Sequence, residues 1–173
     1  MEFTNLLNLL AKRRLGLSQT QSLDDICTKN CEEIGSLHIA CILHKNNIPY
    51  CISTNVYKNY NGVYSYHAEN QALSKLDKNK KSKPKSINIF VIRVTRNGHI
   101  VNSKPCVKCL QDMLKLPSTK GYKVKNIFYS DDNGNIIKKS LSSLLFKEEY
   151  HVSRFYRENN FKSSIINNVK CQC

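Results

Sequence analysis

This sequence has no long apolar run and few acidic residues. No segment approaches the ~20 consecutive apolar residues that a membrane-spanning helix requires. Residues 1–7 also lack the basic start and the long apolar stretch of a secretory signal peptide. We therefore expect a soluble, cytoplasmic protein with reduced thiols and no membrane partner.

The shortage of acidic residues leaves the chain strongly basic. Asp and Glu number 13 against 27 Lys and Arg, so the formal charge is +14. Such a charge favours polyanionic partners such as nucleic acid, or a phosphorylated substrate. The alternative is a compositional bias, because the chain is rich in both Lys and Asn, and neutral Asn does not bind phosphate. The length of 173 residues, 40% of them apolar, predicts one domain with a single core.

The eight cysteines do not predict a disulfide framework. The chain is too long for a small cross-linked domain, and two of the cysteines belong to a metal motif. Cys27 and Cys31 fall on one face of a helix predicted to start at Ser22, where cysteines usually act as small buried hydrophobic residues. A second zinc site that uses these two, or Cys171 and Cys173, is the alternative.

Hydrophobic patterning predicts alternating strands and helices. An apolar hairpin turns at Asn46-Asn47, and the strongest strand, Ile87–Val94, is expected at the centre of a sheet. Asn97-Gly98 marks a tight turn, and Asp131–Asn135 marks a direct hairpin, so the last two strands should run antiparallel. The predicted elements are strands His38–Leu43 and Pro49–Val56, helix His67–Asp77, strand Ile87–Val94, helix Cys106–Leu116 ended by Pro117, strands Val124–Ser130 and Ile136–Ile137, and a short helix after residue 141.

Two stretches are predicted as loops. Residues 57–66 contain four tyrosines, and a base could stack on one or two of them, although at least half are expected to pack on the sheet. Residues 78–85 contain five lysines. A preceding helix of about eleven residues would place them roughly 16 Å from His67, at ~1.5 Å rise per residue. We therefore interpret the lysines as a solvated loop.

One group of residues is suited to chemistry: His67-Ala68-Glu69, followed by Pro105-Cys106 and Cys109. Cys106 and Cys109 are three apart, so they are neighbours on one helix face, and Pro105 is tolerated at the helix start. The positive end of the helix dipole favours their thiolates. With His67 they supply three ligands, as in catalytic zinc sites, where the fourth position holds a water whose pKa falls towards ~7.

Glu69 distinguishes a catalytic from a structural metal site. It follows His67 by two residues, so both can reach a metal-bound water only if His67 lies in an irregular first turn. A carboxylate there can take a proton from water and pass it to a ring nitrogen and a leaving amine. A structural zinc site would prefer a fourth Cys or His nearby, and none is obvious. Structural zinc and a chance match are the alternatives.

The pattern H-x-E followed by P-C-x-x-C resembles the signature of the zinc-dependent cytidine and deoxycytidylate deaminase family. The resemblance covers about residues 20–140 and implies an α/β, three-layer fold, with a five-stranded mixed sheet between helices. It divides the chain into an N-terminal extension 1–19, a deaminase-like zinc domain 20–150 and a basic tail 151–173. It also implies Zn2+ as the cofactor.

The resemblance further implies candidate substrate contacts. Asn55, at the end of the second strand, is similar to the asparagine that contacts the sugar or base in this family. A strand-end Asn that terminates a ladder is the alternative. Tyr66 and Ala68, on either side of His67, are the other candidates.

Two features conflict over the substrate. A His as first ligand resembles the deoxycytidylate, tRNA and polynucleotide branches, whereas an antiparallel last pair of strands resembles the free-nucleoside branch. The expected activity is hydrolytic deamination of a cytosine nucleoside or nucleotide to its uracil form, with release of ammonia. A polynucleotide-editing deaminase and a non-enzymatic zinc-stabilised binding protein are the alternatives. The expected partner is a small nucleoside or nucleotide; nucleic acid and a homo-oligomer are also compatible with the sequence.

Overall fold

A computed structural model describes residues 36–44, 47–59, 63–95, 99–146 and 151–152 of the chain. These residues form a mixed α/β structure of eight strands and three helices. The strands are β1 Ser36–Leu43, β2 Pro49–Thr54, β3 Val56–Asn59, β4 Val63–Tyr66, β5 Lys85–Thr95, β6 Ile100–Val101, β7 Tyr122–Ser130 and β8 Ile136–Ser140. The helices are α1 Ala68–Ser74, α2 Val107–Thr119 and α3 Leu141–Leu145.

Six of the strands form one open sheet. Its order is β2-β1-β5-β7-β8, and β6 pairs with β5. β5 and β7 run parallel, and the other pairs are antiparallel, so the predicted antiparallel hairpin of the last two strands is confirmed. The sheet has six strands instead of the predicted five because Arg93 and Val94 pair with Val101 and Ile100. The turn predicted at Asn97-Gly98, between β5 and β6, lies outside the described residues.

The predicted strand Ile87–Val94 lies at the centre of the sheet as part of β5. Ile89 and Phe90 are both fully buried although neighbouring residues of a strand point to opposite faces. Both faces of β5 are therefore covered, which explains why its sequence is a continuous apolar run and not an alternation.

All three described helices lie on one face of the sheet. Ala72 of α1 and Leu110 of α2 share a buried cluster with Val91 of β5, and the apolar residues of α3 belong to the same cluster. A separate buried cluster around Phe90, on the opposite face, contains no residue of these helices. The described residues thus show one helical layer of the expected three-layer fold, and the helix predicted from Ser22 lies outside them.

Residues 57–59 and 63–66, part of the stretch 57–66 that we predicted as a loop, belong instead to a second, two-stranded sheet. β3 and β4 pair antiparallel, with Val56 opposite Tyr66 and Asn59 opposite Val63. The loop prediction is therefore wrong. Aromatic and β-branched residues favour paired strands, and the Asn-Gly sequence at 61–62 is typical of a hairpin turn.

Helix α2 continues past Pro117 to Thr119, so the predicted end before this proline is also wrong. A proline removes one helical N–H and its hydrogen bond, and the helix continues for only two residues beyond Pro117. Its carbonyl still accepts a hydrogen bond from Lys120. Gly121 follows with a left-handed φ of +76°, the conformation that commonly ends helices.

Helix α1 is shorter than the predicted His67–Asp77, because it ends at Ser74. The lysines at 78–85 that follow are all exposed, as the interpretation as a solvated loop requires, although Lys85 already begins β5. The predicted extension 1–19 and the tail beyond residue 152 lie outside the described residues. None of the helices in the described segments is long and apolar enough to cross a membrane.

Candidate metal centre

His67 stands immediately before α1 and is not part of the helix. Its backbone is extended, with φ −67° and ψ 147°, and its carbonyl oxygen accepts a hydrogen bond from the Gln71 N–H. Glu69 is the second residue of the helix. The extended backbone removes the regular helical spacing that would point His67 and Glu69 in nearly opposite directions. The structure therefore meets the condition under which both side chains can reach one reactant.

Cys106 occupies the equivalent position before α2. Its backbone is also extended, with φ −72° and ψ 161°, and its carbonyl oxygen accepts a hydrogen bond from the Leu110 N–H. Cys109 is the third residue of the helix, and both cysteines are buried. The Val107 N–H at the helix start donates to the His151 carbonyl. Both sulfur atoms therefore belong to the amino-terminal end of a helix, where backbone N–H groups favour thiolates.

The three predicted ligands come together in space. His67 Nδ1 lies 3.2 Å from Cys109 Sγ and 3.5 Å from Cys106 Sγ. The candidate ligand atoms of the three residues all lie within 4.8 Å of one another. Neighbouring ligands of a tetrahedral zinc ion are ~3.4–3.8 Å apart, since Zn–N is ~2.0–2.1 Å and Zn–S is ~2.3 Å. The cluster could therefore hold one metal ion with little side-chain movement.

The side chains of the three predicted ligands also form hydrogen bonds with one another, which shift their pKa values. A hydrogen bond with the Cys106 sulfur raises the pKa of His67 to about 9, against the opposing effect of burial. The Cys109 thiol donates to the Cys106 sulfur, which lowers the pKa of Cys106 well below its usual value and raises that of Cys109 well above it. Metal ions bind the deprotonated groups, so metal binding would displace these protons.

The Glu69 carboxylate lies beside the cluster. Glu69 is only 4% exposed, and burial raises the pKa of its carboxyl, while the charge of His67 and a contact with Cys109 act in the opposite direction. Burying an acid is unfavourable unless its surroundings compensate. A carboxyl group with a raised pKa next to metal-ligating side chains is typical of functional sites and suited to proton transfer.

A polar bridge joins α1 and α2 next to the cluster. Asp112 of α2 accepts a hydrogen bond from Asn70 of α1 at 2.8 Å and forms an ion pair with Lys108. Asn70 follows Glu69 in sequence, and Lys108 precedes Cys109, so the bridge holds together the two helix starts that carry the cluster. Sequence reasoning missed it because the four-residue spacing of Lys108 and Asp112 gives no sign of a partner in another helix.

Replacing Asp112 with Ala is expected to lower the free energy of unfolding by about 1–3 kcal/mol. The change removes the acceptor of the Asn70 amide, whose carbonyl oxygen already has no hydrogen-bond partner in the described part of the chain. Chemical denaturation of the full chain measures this difference. Lys115→Ala, at an exposed position of the same helix, should change it by less than about 0.5 kcal/mol. Equal effects of the two variants would contradict a structural role for the bridge.

Two buried serines support the segment that leads into Cys106. Ser103 Oγ donates to the Val91 carbonyl and accepts from the Ser130 N–H, and Ser130 Oγ donates to the Val101 carbonyl. The segment is thereby tied to β5, β6 and β7 near the carboxyl ends of the parallel strands. Ligand sites of open α/β sheets typically lie at this edge. No sequence pattern indicated these serines, because isolated Ser residues are common in predicted loops.

The three predicted substrate contacts have different surroundings. Asn55 Oδ1 accepts from the His38 N–H at 2.9 Å, and the Asn55 N–H donates to the His38 carbonyl at 3.1 Å. These bonds fit the alternative of a strand-end Asn, yet they leave the amide NH2 group to contact a ligand. Tyr66 is half-buried before His67, and Ala68 is fully buried in the core between helices and sheet. Substrate contact by these residues stays a prediction.

The cysteines considered for a second zinc site lie outside the described residues; they are Cys27, Cys31, Cys171 and Cys173. Within the described segments, His67, Cys106 and Cys109 form the one group of three side chains placed to hold a metal ion. Cys41 and Cys51 do not belong to this group.

Comparisons of the chain with protein-family models and with curated proteins find no match. The resemblance to the deaminase family therefore depends on the motif and on the geometry of the residues that form it. That geometry consists of a His-Cys-Cys cluster at two helix starts, with a buried carboxylate beside it.

Proposed function

We propose that this protein is a zinc-dependent hydrolytic deaminase that acts on a cytosine nucleoside or nucleotide. The observation that carries the proposal is the buried Glu69 carboxylate beside the cluster of His67, Cys106 and Cys109. Two thiolates and an imidazole suit Zn2+, which prefers sulfur and nitrogen donors. Three ligands leave a fourth position for a reactant, and holding a metal ion gives no reason to bury a carboxylate beside it. The arrangement supports the resemblance to the cytidine and deoxycytidylate deaminase family.

Glu69 carries protons in the proposed reaction. A zinc ion bound to the cluster would act as a Lewis acid that activates the attacking water. Glu69 takes one proton from this water and gives it to ring nitrogen N3, while the water oxygen bonds to C4. It then takes the second proton and gives it to the exocyclic amine. The C4–N bond breaks, ammonia leaves, and the oxygen remains as the C4 carbonyl of the uracil product.

A zinc-stabilised binding protein without activity is less well supported. Structural zinc sites are usually closed by four protein ligands, whereas the described residues bring three together. Such a site also leaves the burial of Glu69 without a purpose, because the two thiolates already balance the charge of the metal ion.

Polynucleotide editing is also less well supported, because the exposed lysines at 78–85 do not line the cluster. Lys85 begins β5, whereas the carbonyl of Val91, six residues later, accepts a hydrogen bond from Ser103, three residues before Cys106. Six residues of a strand span ~20 Å. The lysines therefore lie towards the opposite end of the sheet, and a small nucleoside or nucleotide is the favoured substrate.

The proposal is tested by measuring ammonia release from cytidine, deoxycytidine, CMP and dCMP with the zinc-loaded full chain. We expect at least one of them to be converted to its uracil form at ~1–10³ s⁻¹, the usual range for enzymes. Adenosine and a cytosine-containing single-stranded oligonucleotide are the comparison substrates. If protein that carries zinc converts none of the four cytosine compounds, the proposal fails.

A further inference from the structure

Arg93 lies at the same end of the sheet as the metal cluster. Side chains of β5 alternate between faces, so Arg93 shares the helix-covered face with Ile89 and Val91. The Val91 carbonyl accepts a hydrogen bond from Ser103, three residues before Cys106. Arg93 is half-buried and two residues beyond Val91, a further ~7 Å along the strand. It therefore occupies the rim of the site, just past the core residues that support the cluster.

Arg93 faces His38 across the antiparallel pair of β1 and β5. Residues directly opposite in such a pair place their side chains next to each other on one face. Burial, together with the charges of Arg93, His67 and His151, lowers the pKa of His38 to about 4. The His38 imidazole is therefore close enough to both Arg93 and His67 to sense their charges.

The Arg93 guanidinium has no carboxylate partner in the described segments. Its Nε donates to Ser36 Oγ at 3.2 Å, whereas the one ion pair of these segments joins Lys108 and Asp112. An arginine has five N–H donors, so its two NH2 groups remain to bind a ligand. A half-buried cation is unfavourable without an opposite charge, and a bound anion would supply that charge.

We propose that Arg93, His38 and Ser36 form a phosphate subsite, so that the substrate is a cytosine nucleoside monophosphate and not a free nucleoside. This inference rests on the proposed function, because it places the base at the cluster and the phosphate at the rim. The planar guanidinium suits two phosphate oxygens at once, and the imidazole and the hydroxyl are two further donors.

A terminal phosphate is favoured over the phosphodiester chain of a nucleic acid. Polynucleotide binding usually depends on several cations along a groove. The exposed Lys85 and Lys123, by contrast, lie where β5 and β7 begin, away from Arg93.

The test compares substrates that differ only in the phosphate, dCMP with deoxycytidine and CMP with cytidine. The wild-type kcat/KM should be at least about tenfold higher for the monophosphate, and Arg93→Gln should lower this ratio about 10- to 100-fold, mainly through KM. Arg93→Lys keeps the charge but loses the planar donor pair, so its ratio should fall in between. Lys123→Gln, which removes an exposed cation at the other end of the sheet, should leave the ratio unchanged.

Equilibrium binding separates this inference from the proposed activity. Calorimetric titration of the zinc-loaded full chain with CMP and with cytidine requires no turnover. Tighter binding of CMP, lost in Arg93→Gln, supports the subsite even if no compound is deaminated, and in that case the proposed activity alone fails. Equal binding of CMP and cytidine by the wild type, or an equal loss of both in Arg93→Gln, overturns the subsite. The subsite is also overturned if Arg93→Gln loses binding of the oligonucleotide but keeps binding of CMP.

Discussion

Glu69→Gln is expected to lower kcat for deamination by about 10²- to 10⁴-fold, the usual contribution of a positioned acid–base group. Glutamine keeps the size of the side chain but cannot accept and return a proton. The fold should tolerate the change, because burial already disfavours the charged form of Glu69. Steady-state kinetics with the best wild-type substrate, together with the zinc content of the same samples, measures the effect.

Asp77→Asn is the matched control for this substitution. Asp77 is an exposed carboxylate shortly after α1, where it accepts a hydrogen bond from the Tyr50 hydroxyl. Its neutralisation also removes one negative charge near the helix but should leave kcat close to the wild-type value. Near-normal turnover by zinc-loaded Glu69→Gln would show that Glu69 is not the proton carrier.

Cys109→Ser is expected to remove the bound metal and, with it, all measurable activity. A serine hydroxyl stays protonated at neutral pH, whereas zinc is bound by a thiolate. Zinc should fall from about one ion per chain to nearly none after dialysis against a weak chelator. Added zinc should raise the thermal midpoint of the wild type but not of the variant, since a metal that binds only the folded state stabilises it. Metal analysis and thermal unfolding measure both effects.

Cys51→Ser is the control for the loss of a thiol. Cys51 lies on β2, and its Sγ donates to the Ala72 carbonyl at 3.4 Å, a bond that a serine hydroxyl can also make. This variant should keep its zinc. Full zinc content in Cys109→Ser would mean that other side chains hold the metal, and the cluster would then not be the metal site.

Features with a local pattern could be predicted from the sequence. The central strand is a continuous apolar run at Ile87–Val94, and the hairpin of β7 and β8 follows from the turn residues at Asp131–Asn135. The candidate ligands were also predictable, because His67, Cys106 and Cys109 have fixed spacing at two helix starts. In each case the pattern that predicts the feature is contained in a few neighbouring residues.

Features that depend on distant contacts could not be predicted. Asn70 and Asp112 are 42 positions apart and meet only because α1 and α2 pack together. Arg93 faces His38 only because of the register between β1 and β5, and a shift by one residue would turn it to the other face.

The position of the lysine loop at 78–85 has a consequence for how this basic protein responds to ionic strength. Lys85 and Val91 are separated by ~20 Å along β5, which is more than two Debye lengths at physiological salt, where the Debye length is ≈ 8 Å. The field of the exposed Lys85 is therefore largely screened before it reaches the part of β5 beside Ser103 and the metal cluster. Changes in salt are therefore expected to alter long-range attraction between the protein and polyanions more than the proton transfers that we propose for Glu69.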